Sequence, residues 1–179
     1  MQIDFESERF IMRRITEDDV QDFFELDSDP EVHKYLGNEP VSSLHQSAKM
    51  INDVLAQYEK FGIGRSAIID RETNDFIGWG GIKYETLPFN KMNGYHDIGY
   101  RLKQKYWGNG IATEVSIAAL KYGFEELKLE RICGGAEVGN IASNKILEKI
   151  GLTFINQFYI DDLLHNWFEI GAEEWEKIN

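Results

Sequence analysis

Residues 97–114, DIGYRLKQKYWGNGIATE, bring together the residue types most able to do chemistry: a strand-like run enters a Gly-x-Gly turn and passes directly into a helical pattern. Gly108 and Gly110 can take backbone angles closed to bulkier residues, which lets a ligand approach the main chain. The amides from about Asn109 to Thr113 then point at one place. They are unsatisfied donors at a helix start, backed by the positive end of the helix dipole, and such a cradle suits a pyrophosphate. A tight strand-to-helix connection needs the same two glycines. Two common phosphate motifs are excluded, because G-x-G-x-x-G fails at Thr113 and no G-x-x-x-x-G-K-[ST] occurs.

The elements around this turn follow from hydrophobic period. Residues 8–15 show a mixed alternation that predicts an edge or surface-lying strand. Thr16 reads as a helix cap with Asp19 at the third helical position, and Val20, Phe23, Phe24 and Leu26 form the apolar side of a short helix. Pro30 opens a further turn. Leu44, Ala48, Ile51, Leu55 and Tyr58 recur at helical spacing from Ser42 or Ser43 to Phe61, where Gly62 stops the helix. Runs at 63–69, 76–84 and 95–102 predict a meander of antiparallel strands. A helix over about 110–127, a strand at 131–138, a helix at 142–150 ended by Gly151, and strands at 152–159 and 163–171 complete a mixed α/β pattern. No repeat or low-complexity linker divides it, so 1–179 reads as one domain.

Composition narrows the class. Hydrophobic residues at 42%, charged residues at 28% and three prolines describe a globular chain able to bury a core without staples. Acidic residues outnumber basic ones 31 to 19, and the resulting charge of -12 repels a phosphate backbone, which argues against direct nucleic-acid binding. A local basic patch would still hold a phosphorylated cofactor. The same field favours a cationic partner, and a solubility surplus gives the identical number. Cys133 stands alone, so no intrachain disulfide forms, and the four histidines lack metal spacing, so no metal is expected. MQIDFESERF is unlike a signal peptide, and no apolar run approaches the ~20 residues of a membrane span. A cytoplasmic protein without membrane contact is the expectation.

Several fragments, in order, resemble the GCN5-related N-acetyltransferase (GNAT) superfamily and within it the ribosomal-protein alanine N-acetyltransferases. They are Ile98-Gly99-Tyr100, the run from Tyr106 to Glu114, Tyr122-Gly123-Phe124, Leu129-Glu130-Arg131-Ile132, the run from Asn140 to Lys145, and the run from Leu147 to Leu152. The resemblance spans nearly the whole chain. It implies a mixed central sheet of about seven strands with helices on both faces, splayed between the fourth strand (95–102) and the fifth (131–138). It also implies acetyl-CoA as cosubstrate. Tyr100, Arg101, Leu102 and Lys103 would pair through their backbones with the pantetheine arm. Lys105, Gly108, Asn109, Gly110, Ile111, Ala112 and Thr113 match the pyrophosphate loop [RQ]-x-x-G-x-[GA]; Lys105 departs from its first position but keeps the charge. Asn140 and Asn144 join the cofactor set.

Attack by an amine on a thioester needs a neutral nucleophile and a proton for the departing thiolate, which calls for a carboxylate near the amine. By the resemblance, Ser143 returns that proton, although a serine at a helix start also satisfies local amides. Asp97 matches the acidic position before Ile-Gly-Tyr, and the strand period sets it on one face with Gly99 and Arg101; Glu85, past the third strand, is the other candidate base. Either is equally an ordinary solvated carboxylate. Trp79, Tyr84, Tyr159, Asp161 and Asp162 are candidates to line the acceptor site. An acyl-Cys133 route is disfavoured, since Cys133 lies in a strand-like run without a neighbouring histidine. The resemblance implies acetyl transfer to a primary amine, foremost a protein N-terminus such as that of a ribosomal protein, in a ternary complex. A polyamine or aminoglycoside acetyltransferase and an idle acyl-CoA-binding relative are the alternatives. A homodimer is expected only by analogy with relatives.

Overall fold

The computed structural model describes residues 2–178. Eight strands form one sheet, β1 (Ile3–Glu6), β2 (Phe10–Arg14), β3 (Ser66–Asp70), β4 (Phe76–Glu85), β5 (Tyr95–Leu102), β6 (Arg131–Glu137), β7 (Thr153–Ile160) and β8 (Leu163–Gly171). Their order is β1-β2-β3-β4-β5-β6-β8-β7. The additional strand is β1, too short and too acidic to stand out in the sequence. It pairs antiparallel with β2 and takes the edge, so β2 is interior, with Phe10 1% and Met12 0% exposed. Its alternation is masked because Arg13 is held by Asp19 at 2.6 Å instead of facing water.

Strands β3 to β5 make the expected antiparallel meander, and β2 extends it by pairing antiparallel with β3. Between β5 and β6 the pairing turns parallel and is registered at Asp97 and Cys133 alone. Beyond that point the two strands separate, and this is the expected splay.

Six α-helices flank the sheet: α1 (Val20–Asp27), α2 (Pro30–His33), α3 (Leu44–Phe61), α4 (Ile111–Lys121), α5 (Ile141–Lys149) and α6 (Ala172–Ile178). Strand β3 shows how they divide. Ala67 and Ile69 pack with Phe23, Leu26, Val32 and Ile51 of α1 to α3, while Ile68 points the other way, into a cluster with Ile111, Ala112 and Val115 of α4. Helices α4 to α6 cover that second face, with Leu120, Leu147 and Trp175 in one cluster.

Local signals set the helix ends. The Thr16 amide donates to Asp19 Oδ2 at 2.8 Å, Ser43 caps α3 by accepting from the Gln46 amide, and Gly62 ends α3 with φ 72°. Helix α4 is shorter than its period predicts and continues as a π-helical turn over Tyr122–Glu126. Gly123 lies in that turn, where an added Cβ would sit 2.6 Å from Ile82 Cδ1, so the sheet is packed against bare backbone. Helix α6 has no counterpart in the predicted elements. Among the described residues no helix is long and apolar enough to cross a membrane.

Candidate active site

The turn after β5 is built from backbone. A 3-10 turn at Gln104–Tyr106 leads to Gly108 and Gly110, both left-handed at φ 77° and 74°. An added Cβ would meet nothing within 4 Å at Gly108 and only Arg9 at 3.9 Å at Gly110, so conformation and not space demands glycine. The loop holds its own shape: the Trp107 indole donates to the Leu102 carbonyl at 2.9 Å, and the Asn109 amide group donates to the Tyr106 and Trp107 carbonyls. Arg9 anchors it from outside, pairing with Glu114 at 2.7 Å and donating to the Asn109 carbonyl.

The first amide to donate back into α4 is that of Glu114, to the Gly110 carbonyl at 3.1 Å. The amides of Ile111, Ala112 and Thr113 therefore have no intrahelical acceptor. Ile111 and Ala112 bury their side chains in the core, so they offer a ligand only these amides. Lys105 rests over the Tyr106 ring.

Hydrogen-bonding direction along β5 sorts the expected pantetheine strand. The Lys103 amide donates to Ile77 of β4 at 3.0 Å, so by alternation Arg101 and Lys103 face β4 while Tyr100 and Leu102 turn their backbones toward β6. Past Asp97 that edge is open. The Arg101 and Lys103 side chains are engaged elsewhere: Arg101 pairs with buried Asp27, which also meets His33 Nε2 at 3.1 Å, and Lys103 binds Asp22 and Glu25 of α1 at 2.8 and 2.7 Å.

Two clusters of polar side chains flank the splay. On the α4–α5 face, Asn140 caps α5 by accepting from the Ser143 amide at 3.1 Å, and the Tyr100 phenol lies 3.1 Å from Ser143 Oγ. Asn144 is an internal brace: it donates to the Glu137 and Asn140 carbonyls and accepts from Asn166.

On the opposite face, Asp97 stands where β5 and β6 part. It is ion-paired with buried Arg65, whose guanidinium also donates to the Asp97 carbonyl at 2.6 Å and to the Gly81 carbonyl. Gly99 clears the slot, since a Cβ there would lie 2.7 Å from the guanidinium; Gly81, opposite it on β4, contributes its carbonyl, and a Cβ on it would instead meet Phe5 at 3.4 Å. Trp79 carries the guanidinium groups of Arg65 and Arg101 at 5.7 and 4.8 Å from its ring. Burial pushes the Asp97 carboxyl above its usual range, against the pull of Arg65 and Lys83. Glu85 is held differently. Burial opposes its charge, but Lys83 at 2.6 Å and the amides of Leu87 and Thr86 outweigh that and keep the carboxyl below the usual range.

Of the expected acceptor-site residues only Trp79 stands with Asp97. Tyr84 faces the other side of the strand, against Phe61 and His96. Tyr159 is 68% exposed, and Asp161 and Asp162 turn the β7–β8 hairpin. Burial raises the Cys133 thiol to about 12, leaving it inert as a nucleophile. No cluster of three metal-ligating side chains occurs among the described residues. Sequence reasoning missed Arg65, Asp27 and His33; Gly99 was a signal for Arg65, visible only once folding has set the guanidinium against it.

An open strand edge, a turn of left-handed glycines and three free amides fit an extended arm ending in a pyrophosphate. Residues 9–153 match the model of the acetyltransferase (GNAT) domain. The uncharacterized N-acetyltransferase YoaA of Bacillus subtilis is 37% identical over 150 residues, covering 82% of this chain and 80% of its own. A crystal structure of a GNAT-family acetyltransferase from Bacillus anthracis superposes with a TM-score of 0.78 at 27% identity, over 97% of this chain and 99% of that one. Two more distant structures share the fold at a TM-score of 0.75: spermidine N-acetyltransferase from Vibrio cholerae with CoA and spermine, 17% identical over 94% of this chain and 98% of that one, and RimL, a ribosomal L7/L12 alpha-N-protein acetyltransferase with CoA, 19% identical over 92% and 95%. With the glycine turn, the splay at Asp97 and the family match over most of its length, the chain belongs to the GNAT family and is an N-acetyltransferase that uses acetyl-CoA.

Proposed function

We propose that the chain, acting as one domain over 1–179, transfers acetyl to the N-terminal amine of a protein in a ternary complex. The observation that carries this reading is the placement of Ser143 and Asp97 on opposite faces of the same splay. Acetyl-CoA supplies the thioester. The amides of Ile111, Ala112 and Thr113 hold the pyrophosphate, Tyr100 and Leu102 offer backbone groups to the arm, and Ser143 holds the proton that the departing sulfur needs. Asp97 takes the proton of the incoming ammonium, directly or through one water, because burial makes it the more basic of the two carboxylates; Glu85 is held too low and too tightly by Lys83. The ordered fragments that resemble ribosomal-protein acetyltransferases support this branch, as does the fold shared with RimL, a ribosomal L7/L12 alpha-N-protein acetyltransferase.

A second reading, a polyamine acetyltransferase, is favoured by the charge of -12 and by the fold shared with spermidine N-acetyltransferase. Thiol release from acetyl-CoA against short peptides with free N-termini, polyamines and aminoglycosides tests both. Release confined to peptides supports the first reading, and release confined to small amines replaces it.

A further inference from the structure

We propose that Tyr100 is a positioning residue that sets the direction of the Ser143 hydroxyl. The inference rests on the acetyltransferase reading above and adds a residue to it. Tyr100 projects from β5 to the α4–α5 face, and its phenolic oxygen lies 3.1 Å from Ser143 Oγ. A phenol is the stronger acid of the two and the poorer acceptor, since its lone pair is shared with the ring. The bond therefore runs from Tyr100 to Ser143. With one lone pair of Oγ filled in this way, the serine keeps its own proton for another acceptor.

Two more constraints sharpen that direction. Asn140 Oδ1 holds the Ser143 amide at 3.1 Å, so the serine backbone cannot turn away. Asn144 binds Asn140 and Glu137 carbonyls and receives Asn166, which fixes the first turn of α5 against β6 and β8. The backbone of Tyr100 faces the open edge of β5, so one residue touches the arm with its main chain and the serine with its side chain. Burial raises the Tyr100 phenol, so it remains a donor well into alkaline solution. No proton has to leave Tyr100; its bond polarises the serine and makes its O–H a better donor.

The test is the titration of the thiol of CoA bound to the purified protein, followed by thiolate absorbance, alongside turnover. A hydrogen bond to the charged form lowers a pKa, so the bound thiol should titrate about one unit below free CoA. Tyr100→Phe, which keeps the ring, should move it back by about half a unit and lower kcat by about threefold to tenfold with KM for acetyl-CoA little changed. In a Ser143→Ala background the same substitution should change neither value, since the hydroxyl it orients is gone. A Tyr100→Phe protein that binds CoA with its thiol pKa at the wild-type value overturns the inference, as does a full additive loss of kcat in the Ser143→Ala background. Failure of the wild-type protein to bind CoA would overturn the acetyltransferase reading itself, and this inference with it.

Discussion

The glycine turn at 108–110 and the ion-paired cluster around Asp97 occupy two ends of the same stretch of chain and are built from opposite materials. The turn uses main-chain amides, and its side chains either leave space or sink into the core. The cluster uses charged side chains brought together by the sheet: Arg65, just before β3, meets Asp97 of β5 and the Gly81 carbonyl of β4, with Lys83 of β4 acting on the same carboxylate. A phosphate is recognised well by amides that need no titratable group, because the helix start supplies both donors and dipole. Moving a proton requires a group of adjusted basicity, and only burial beside charges supplies that. One site tolerates side-chain change and depends on backbone shape; the other has the reverse sensitivity.

Substitutions separate the two. Asp97→Asn should lower kcat by about 100-fold or more while CoA affinity stays near wild type, as read by turnover and calorimetry. In the wild type, kcat/KM should rise as pH rises through the Asp97 pKa, because only the ionised carboxylate accepts a proton; its raised value places this limb above the usual carboxylate range, and Asp97→Asn should abolish it. Arg65→Met leaves a buried carboxylate without its partner and should cost about 3–5 kcal/mol in denaturant unfolding, with much of the loss recovered in Arg65→Met/Asp97→Asn. Gly110→Val should weaken acetyl-CoA binding by about tenfold, since a β-branched residue in the left-handed region costs on the order of 1–3 kcal/mol and shifts the amides that follow. Gly110→Asn, better suited to that region, should bind more tightly than Gly110→Val. Glu85→Gln should change kcat by less than about threefold, the cost of a carboxylate already tied to Lys83 and two amides. A loss at Glu85 equal to that at Asp97 would reassign the base.

The fold was legible where its signals are local. Ser43, Gly62, Gly108 and Gly110 declare helix ends and a turn through dihedral preference and capping, which depend on near neighbours in the chain. The seven longer strands show in period and in β-branched content. Strand β1 and helix α6 did not, because each is short and is held by contacts made far away: β1 by pairing with β2, and α6 by Trp175 packing on Phe124 at 5.7 Å.

For the active site the division is sharper. The residues alone determined the amide cradle, since two glycines before a helix dictate backbone geometry within a few positions, and they brought the ordered fragments of the family into view. Tertiary structure decided everything that depends on register. Gly99 leaves room for the Arg65 guanidinium, Asp97 becomes the point at which the sheet parts, and Tyr100 reaches Ser143 across 43 positions of chain. Charge and basicity follow from those meetings: Asp97 and Glu85 are equally ordinary carboxylates in the sequence, and burial beside Arg65 or capture by Lys83 separates them only after folding has chosen their neighbours.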